Sequence, residues 1–140
     1  MQLTPYLMFN GNCEEALNFY AKALGGEIKS LMRYEGSPVE SMAAAGEKQR
    51  IMHSNFVADG ITFMAADTGE GGPGLNKNGM VYLSIHFNDG AKQEKVFNAL
   101  AEAGKIGMQL QDTFWGARFG MLTDKFGINW MLNFEKPKQK

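Results

Sequence analysis

Gly127-Ile128-Asn129-Trp130-Met131 repeats, in residue class and order, Gly60-Ile61-Thr62-Phe63-Met64. Each stretch follows a turn signal, Asp59-Gly60 in one case and Asp124-Lys125-Phe126-Gly127 in the other. Self-similarity at a fixed offset points to two copies of one structural unit. Reading outward from the earlier copy, Ile61 to Ala66 is a strand, and Asp59-Gly60 predicts a hairpin turn with positive φ at both positions. Arg50 to Ala58 is the strand before it, with His53, Asn55 and Val57 on one face and Met52, Ser54 and Phe56 on the other. Glu27 to Tyr34 alternates as a strand, and Glu35 to Gln49 reads as a loop with one helical turn. Further upstream, Pro5-Tyr6-Leu7-Met8-Phe9 is a short buried strand. Asn12 and Glu15 have capping-box spacing. Ala16, Leu17, Tyr20 and Leu24 form one helical stripe, and Gly25-Gly26 supplies a left-handed stop.

The same order precedes the later copy. Met80 to Phe87 is a strand whose Tyr82-Leu83 echoes Tyr6-Leu7. Asn88-Asp89-Gly90 can cap a helix carrying Val96, Phe97, Leu100 and Ala103, ended by Gly104. Lys105 to Gln111, Phe114 to Leu122 and Ile128 to Phe134 are strands. The predicted fold is therefore α+β: two tandem βαβββ modules, residues 1–67 and 80–140, joined by a Gly-rich linker at 68–79, the whole one compact domain with a curved, cleft-lined mixed sheet. Two such sheets would enclose a hollow suited to a small ligand. Gly69-Glu70-Gly71-Gly72-Pro73-Gly74 matches the dinucleotide-binding pattern in letters alone, since Pro73 and more turn residues follow where a helix should open.

Composition narrows the classes of function. The chain has 140 residues, a net charge of −1 and one cysteine. That charge favours neither nucleic acid nor an anionic membrane as partner. No apolar run reaches the length of a membrane span. The first residues lack the pattern of a secretory signal, and a lone Cys13 precludes an intrachain disulfide, so a cytoplasmic location is expected. Ten methionines read as core filling or as a pliable pocket wall.

With these residues assembled, the chain resembles the PhnB-like branch of the vicinal oxygen chelate superfamily, which includes glyoxalase, bleomycin resistance and dioxygenase proteins. The resemblance is carried by Tyr6-Leu7-Met8-Phe9-Asn10-Gly11-Asn12-Cys13 and the helix to Tyr20, by Met52-His53-Ser54-Asn55, by Gln111 to Gly120, and by Asp124 to Gly127 continuing to Trp130-Met131. It implies a homodimer with a small-molecule ligand in the inter-module cleft. Members have carried the label 3-demethylubiquinone-9 3-methyltransferase, but the chain lacks the Gly-rich strand-to-helix loop and alternating β/α order that such chemistry would need.

Metal-using relatives place His, Gln or Glu on the first and fourth strands of each module. Carried over, those positions fall near Pro5, Met64, Met80 (or Val81) and Met131, none of them a donor for a hard or borderline ion. The resemblance therefore implies no cofactor, with apolar wall where the ion would sit. A divalent metal held by relocated ligands, His53, His86 and Glu135, is the alternative, and would make the protein a lyase, isomerase or dioxygenase. A non-catalytic partner-binding module is a third reading.

Candidate ligand-binding residues are His53, His86, Trp115, Arg118, Asn133 and Glu135. Arg118 is either an anion anchor, using its guanidinium fork, or an ion-pair residue. Phe119, Phe63 and Trp130 are read as packing residues. Cys13, at the start of a helix, is read as a small buried thiol. No Ser-His-Asp or Cys-His arrangement can be placed, so catalytic residues are not assigned.

Overall fold

The computed structural model describes residues 1–43, 46–68 and 81–137. The chain divides into two compact units, Met1–Asn76 and Lys77–Lys140. The Gly-rich stretch at 69–80 lies outside the described residues, and with it Met80 and the Gly69-to-Gly74 pattern.

The first unit runs β1 (Tyr6–Phe9), α1 (Cys13–Leu24), β2 (Glu27–Arg33), a short 3-10 turn (Glu40–Met42), β3 (Ile51–Ala58) and β4 (Ile61–Asp67). The second runs β5 (Leu83–Phe87), α2 (Gly90–Ala101), β6 (Lys105–Asp112), β7 (Ala117–Thr123) and β8 (Asn129–Glu135). The sheet orders are β1-β4-β3-β2 and β5-β8-β7-β6. In each sheet the first strand pairs parallel to the last and the other pairs are antiparallel. The chain is thus two tandem βαβββ modules, each a four-stranded mixed sheet with one helix.

Each helix covers one face of its own sheet, because only one side of each strand carries a continuous apolar set. Ala16, Leu17, Tyr20 and Leu24 of α1 are buried with Leu7, Phe9, Phe56, Phe63 and Ala65. Phe56 stacks on Phe63 at 4.7 Å between ring centroids, and Tyr20 meets Phe63 edge-on at 5.8 Å. In the second unit Val96, Phe97 and Leu100 are buried with Leu122, Trp130 and Leu132. Phe63 and Trp130, the aromatics of the repeated pentapeptide, are both core residues.

The register corrects one detail of the repeat. Met64 pairs with Tyr6, whereas Met131 pairs with Ser84. The counterpart of Tyr6 is Ser84, not Tyr82, and β5 starts at Leu83 with Val81 and Tyr82 ahead of it. The echo of Tyr6-Leu7 in Tyr82-Leu83 is out of step by two residues, so it preserves strand parity but not position. The Phe114-to-Leu122 strand likewise begins only at Ala117, because residues 113–116 form the turn from β6.

The ends of the helices differ from their local signals. Asn12 makes no side-chain cap. The buried Asp67 carboxylate, at the end of β4, caps α1 instead, accepting from Gly11 N at 2.8 Å and Cys13 N at 3.0 Å. Asp89 does cap α2, accepting from Ala91 N at 2.9 Å. Gly25 stops α1 in the left-handed region, φ 71°, but in α2 that conformation falls to Ala103, φ 56°. In the Asp59-Gly60 turn only Gly60 has positive φ, since a residue with a Cβ avoids that region.

Gly104 serves another purpose. A Cβ there would lie 2.5 Å from the Thr123 carbonyl oxygen, and one on Gly26 would lie 2.6 Å from that of Val57. Val57 and Thr123 are equivalent, pairing with Thr62 and Asn129 of the repeated pentapeptide. Both modules need a bare backbone at this crossing. Gly26→Ala and Gly104→Ala should each lower stability by about 1–3 kcal/mol, the usual cost of overpacking. Gly107→Ala, whose Cβ would have only ordinary contact with the Met121 carbonyl oxygen at 3.8 Å, should not. Urea denaturation of the three variants checks this.

Candidate functional site

The helix leaves the other face of each sheet uncovered by its own module, and the register fixes which side chains that face carries. In the first unit Tyr6, Met64, Asn55 and Ser30 form one row across β1, β4, β3 and β2. Met8, Ala66, His53 and Met32 form the next, two residues along each strand. In the second unit the equivalent rows are Ser84, Met131, Met121, Met108 and His86, Asn133, Phe119, Gln111.

Two polar links cross the first face. Tyr6 Oη lies 3.1 Å from His53 Nδ1, spanning β4, with the rings 5.8 Å apart. Asn55 Nδ2 donates to Ser30 Oγ at 3.0 Å. Burial, with smaller contributions from Cys13 and Tyr34, pushes the Tyr6 phenol above its ordinary pKa, so it stays a proton donor at neutral pH. Tyr6 is still 43% exposed, and Met8 and Met32 are exposed beside it.

The expected site residues are distributed as follows. His53 is on the first unit's open face. His86, Asn133 and Glu135 share the second unit's open face, with His86 paired directly to Asn133. Arg118 does not join them. It pairs with Phe134, on the side of Leu122 and Trp130, and its guanidinium Nη1 lies 3.7 Å from Glu94 of α2. The sheet therefore separates Arg118 from His86. Trp115 is in the β6–β7 turn, 60% exposed, edge-on to the exposed Phe114 at 4.8 Å. Phe119, read as packing, faces the open side. Sequence reading missed Tyr6, Ser84 and Gln111 as members of these faces, and it placed Asn55 beside His53 without counting it as a candidate.

Cys13 is fully buried, and burial, reinforced by the Asp67 carboxylate, pushes its thiol up to about 12. A thiol so placed is not a nucleophile at neutral pH. The fit to a divalent ion is poor on the same grounds of chemistry. The first- and fourth-strand positions at the repeated methionine are Tyr6 with Met64 and Ser84 with Met131. Among the described residues no three His, Cys, Asp or Glu side chains gather in a metal-holding group. Phenol, hydroxyl and thioether do not make a set for a hard ion.

This architecture, a βαβββ module made twice, is that of the vicinal oxygen chelate superfamily. A glyoxalase/bleomycin resistance/dioxygenase domain protein from Frankia superposes with a TM-score of 0.67 at 12% identity, covering 97% of this chain and 98% of that one, a likeness of fold. The chain belongs to the family described as 3-demethylubiquinone-9 3-methyltransferase, whose model matches residues 1–133, and within the superfamily it is PhnB-like. A protein of solved structure from Pseudomonas aeruginosa is 40% identical, with a TM-score of 0.81, covering 98% of this chain and 99% of that one. A PhnB protein from Bacillus cereus is 30% identical, with a TM-score of 0.79 and coverage of 96% and 99%. The Escherichia coli protein YjdN is 33% identical over 97% of both chains.

Proposed function

We propose that this PhnB-like protein binds a small molecule on its helix-free sheet faces and does so without the divalent metal its superfamily commonly uses. The observation that carries this reading is the content of those faces. They hold hydrogen-bonding groups (Tyr6, His53, Asn55, His86, Asn133, Gln111) set among thioethers (Met8, Met32, Met64, Met108, Met121, Met131). A few placed polar groups in an apolar surround is what small-ligand sites require, and methionine adapts its shape to what it contacts. The metal-dependent alternative would draw on His53 of the first sheet and on His86 and Glu135, which share the open face of the second. The same reading carries a homodimer, and the net charge of −1 gives no support to a nucleic acid or membrane partner.

Elemental analysis of protein purified without chelator tests this. Zinc, nickel, manganese and iron should all be substoichiometric. One equivalent of any of them, lost on His86→Ala or His53→Ala, would establish the metal-dependent reading instead.

A further inference from the structure

The two open faces are not equivalent, although the units are. His53 corresponds to Phe119, and Met8 to His86. Among the described residues, the first face carries a side-chain hydrogen bond that spans an intervening strand, Tyr6–His53 across β4, whereas Thr123 and Asn129 on the second join neighbouring strands. We propose that the Tyr6–His53 pair is the polar anchor of a site for an uncharged, largely apolar molecule bearing a carbonyl or hydroxyl oxygen. This rests on the small-molecule reading above and assigns the ligand to the first unit.

The donor arithmetic holds for either tautomer. If the phenol donates to Nδ1, the neutral imidazole carries its proton on Nε2. If Nδ1–H donates to the phenol oxygen, the phenol proton is free. Either way the pair keeps one proton to offer a ligand oxygen. Asn55 commits an amide hydrogen to Ser30 and keeps its carboxamide oxygen as an acceptor. Met8, Met32 and Met64 supply polarisable surface on which an aromatic ring can lie.

Charge selects the class of ligand. Neither row of this face contains a Lys, Arg, Asp or Glu side chain. The charges flanking these rows are already paired: Glu27, opposite Val57 at one edge, with Lys29, and Arg33, opposite Ile51 at the other, with Glu14. An anionic ligand would find no Lys or Arg within the two rows, and burying a charge unpaired is costly.

Nile red, an uncharged ketone-bearing dye, tests the proposal by fluorescence titration. Wild-type protein should bind it saturably and more tightly than the anionic dye 1-anilinonaphthalene-8-sulfonate. Tyr6→Phe, which keeps the ring, should weaken binding about three- to tenfold, the loss of one hydrogen bond, and His53→Phe should do the same. Phe114→Ala, at the exposed β6–β7 turn, should change nothing. If both anchor variants bind as wild type while Met131→Glu abolishes binding, the ligand sits on the second unit: the anchor is refuted and the small-molecule reading survives. If the anionic dye binds more tightly, or Phe114→Ala abolishes Nile red binding, the proposal also falls. If wild type binds no dye saturably, both readings fall together.

Discussion

Asp124→Ala is expected to remove about 3–5 kcal/mol of stability, the cost of orphaning three hydrogen-bond donors at about 1–3 kcal/mol each. Asp124 is buried in the β7–β8 turn. Its Oδ1 accepts from Phe126 N at 2.8 Å and Ile128 N at 3.1 Å, and its Oδ2 accepts from Trp130 Nε1 at 2.8 Å. Alanine leaves two part-buried amides and a buried indole without their acceptor, and an orphaned buried donor costs more than its bond contributed. Asp124→Asn keeps one oxygen but turns an NH2 group toward a donor, so its loss should be smaller, about 1–3 kcal/mol. Urea denaturation followed by tryptophan fluorescence measures this, because both tryptophans, Trp115 and Trp130, lie in the second unit. Equal stability of Asp124→Ala and wild type would show that the turn holds without its carboxylate.

Asp67→Ala should be as damaging in the first unit, again by about 3–5 kcal/mol, since it too orphans three donors. The Asp67 carboxylate joins three segments. It accepts from Gly11 N and Cys13 N at the start of α1, and from Ile51 N, at 2.9 Å, at the start of β3. A negative group there also complements the positive end of the helix. Hydrogen exchange reads the result residue by residue. The amides of Gly11, Cys13 and Ile51 should lose protection first, and those of β3 and β4 should follow. Unchanged protection at these three amides would contradict the assignment of the cap to Asp67.

Much of the fold was legible because local signals and the repeat agree. The pentapeptides at Gly60 and Gly127, the stripes at Ala16 to Leu24 and Val96 to Leu100, and the Asp89 cap each specify the same order of elements. What escaped reading depends on residues far apart in sequence. Asp67 follows an apolar strand and precedes a glycine-rich stretch, so it looks like an ordinary turn residue. Its role as cap to a helix 54 residues earlier leaves no local trace. Gly104 reads as a helix stop, while the space it must leave open belongs to the Thr123 carbonyl.

The candidate site was less legible for the same reason. Alternation says that Tyr6 and Met8 share a face, but the pairing with Met64 and Ala66 decides which face. That parity places Tyr6 beside His53 and sends Arg118 to the helix side with Glu94. A guanidinium between two glycines, at Gly116 and Gly120, suggests a ligand anchor until the register is known. An Arg118→Ala variant should therefore leave ligand binding on the open faces unchanged and cost at most about 1 kcal/mol, since its ion pair is solvent-exposed. Dye titration and urea denaturation check both parts.

The helix-free faces are where we propose that a small molecule sits. Methyl-13C-methionine NMR with added Nile red measures this most directly, because methionines mark these faces and also lie away from them. The methyl signals of Met8, Met32 and Met64 should shift with the titration, while those of Met1 and Met42 stay fixed. Shifts confined to Met1 and Met42, with the face methionines unmoved at saturation, would contradict that proposal.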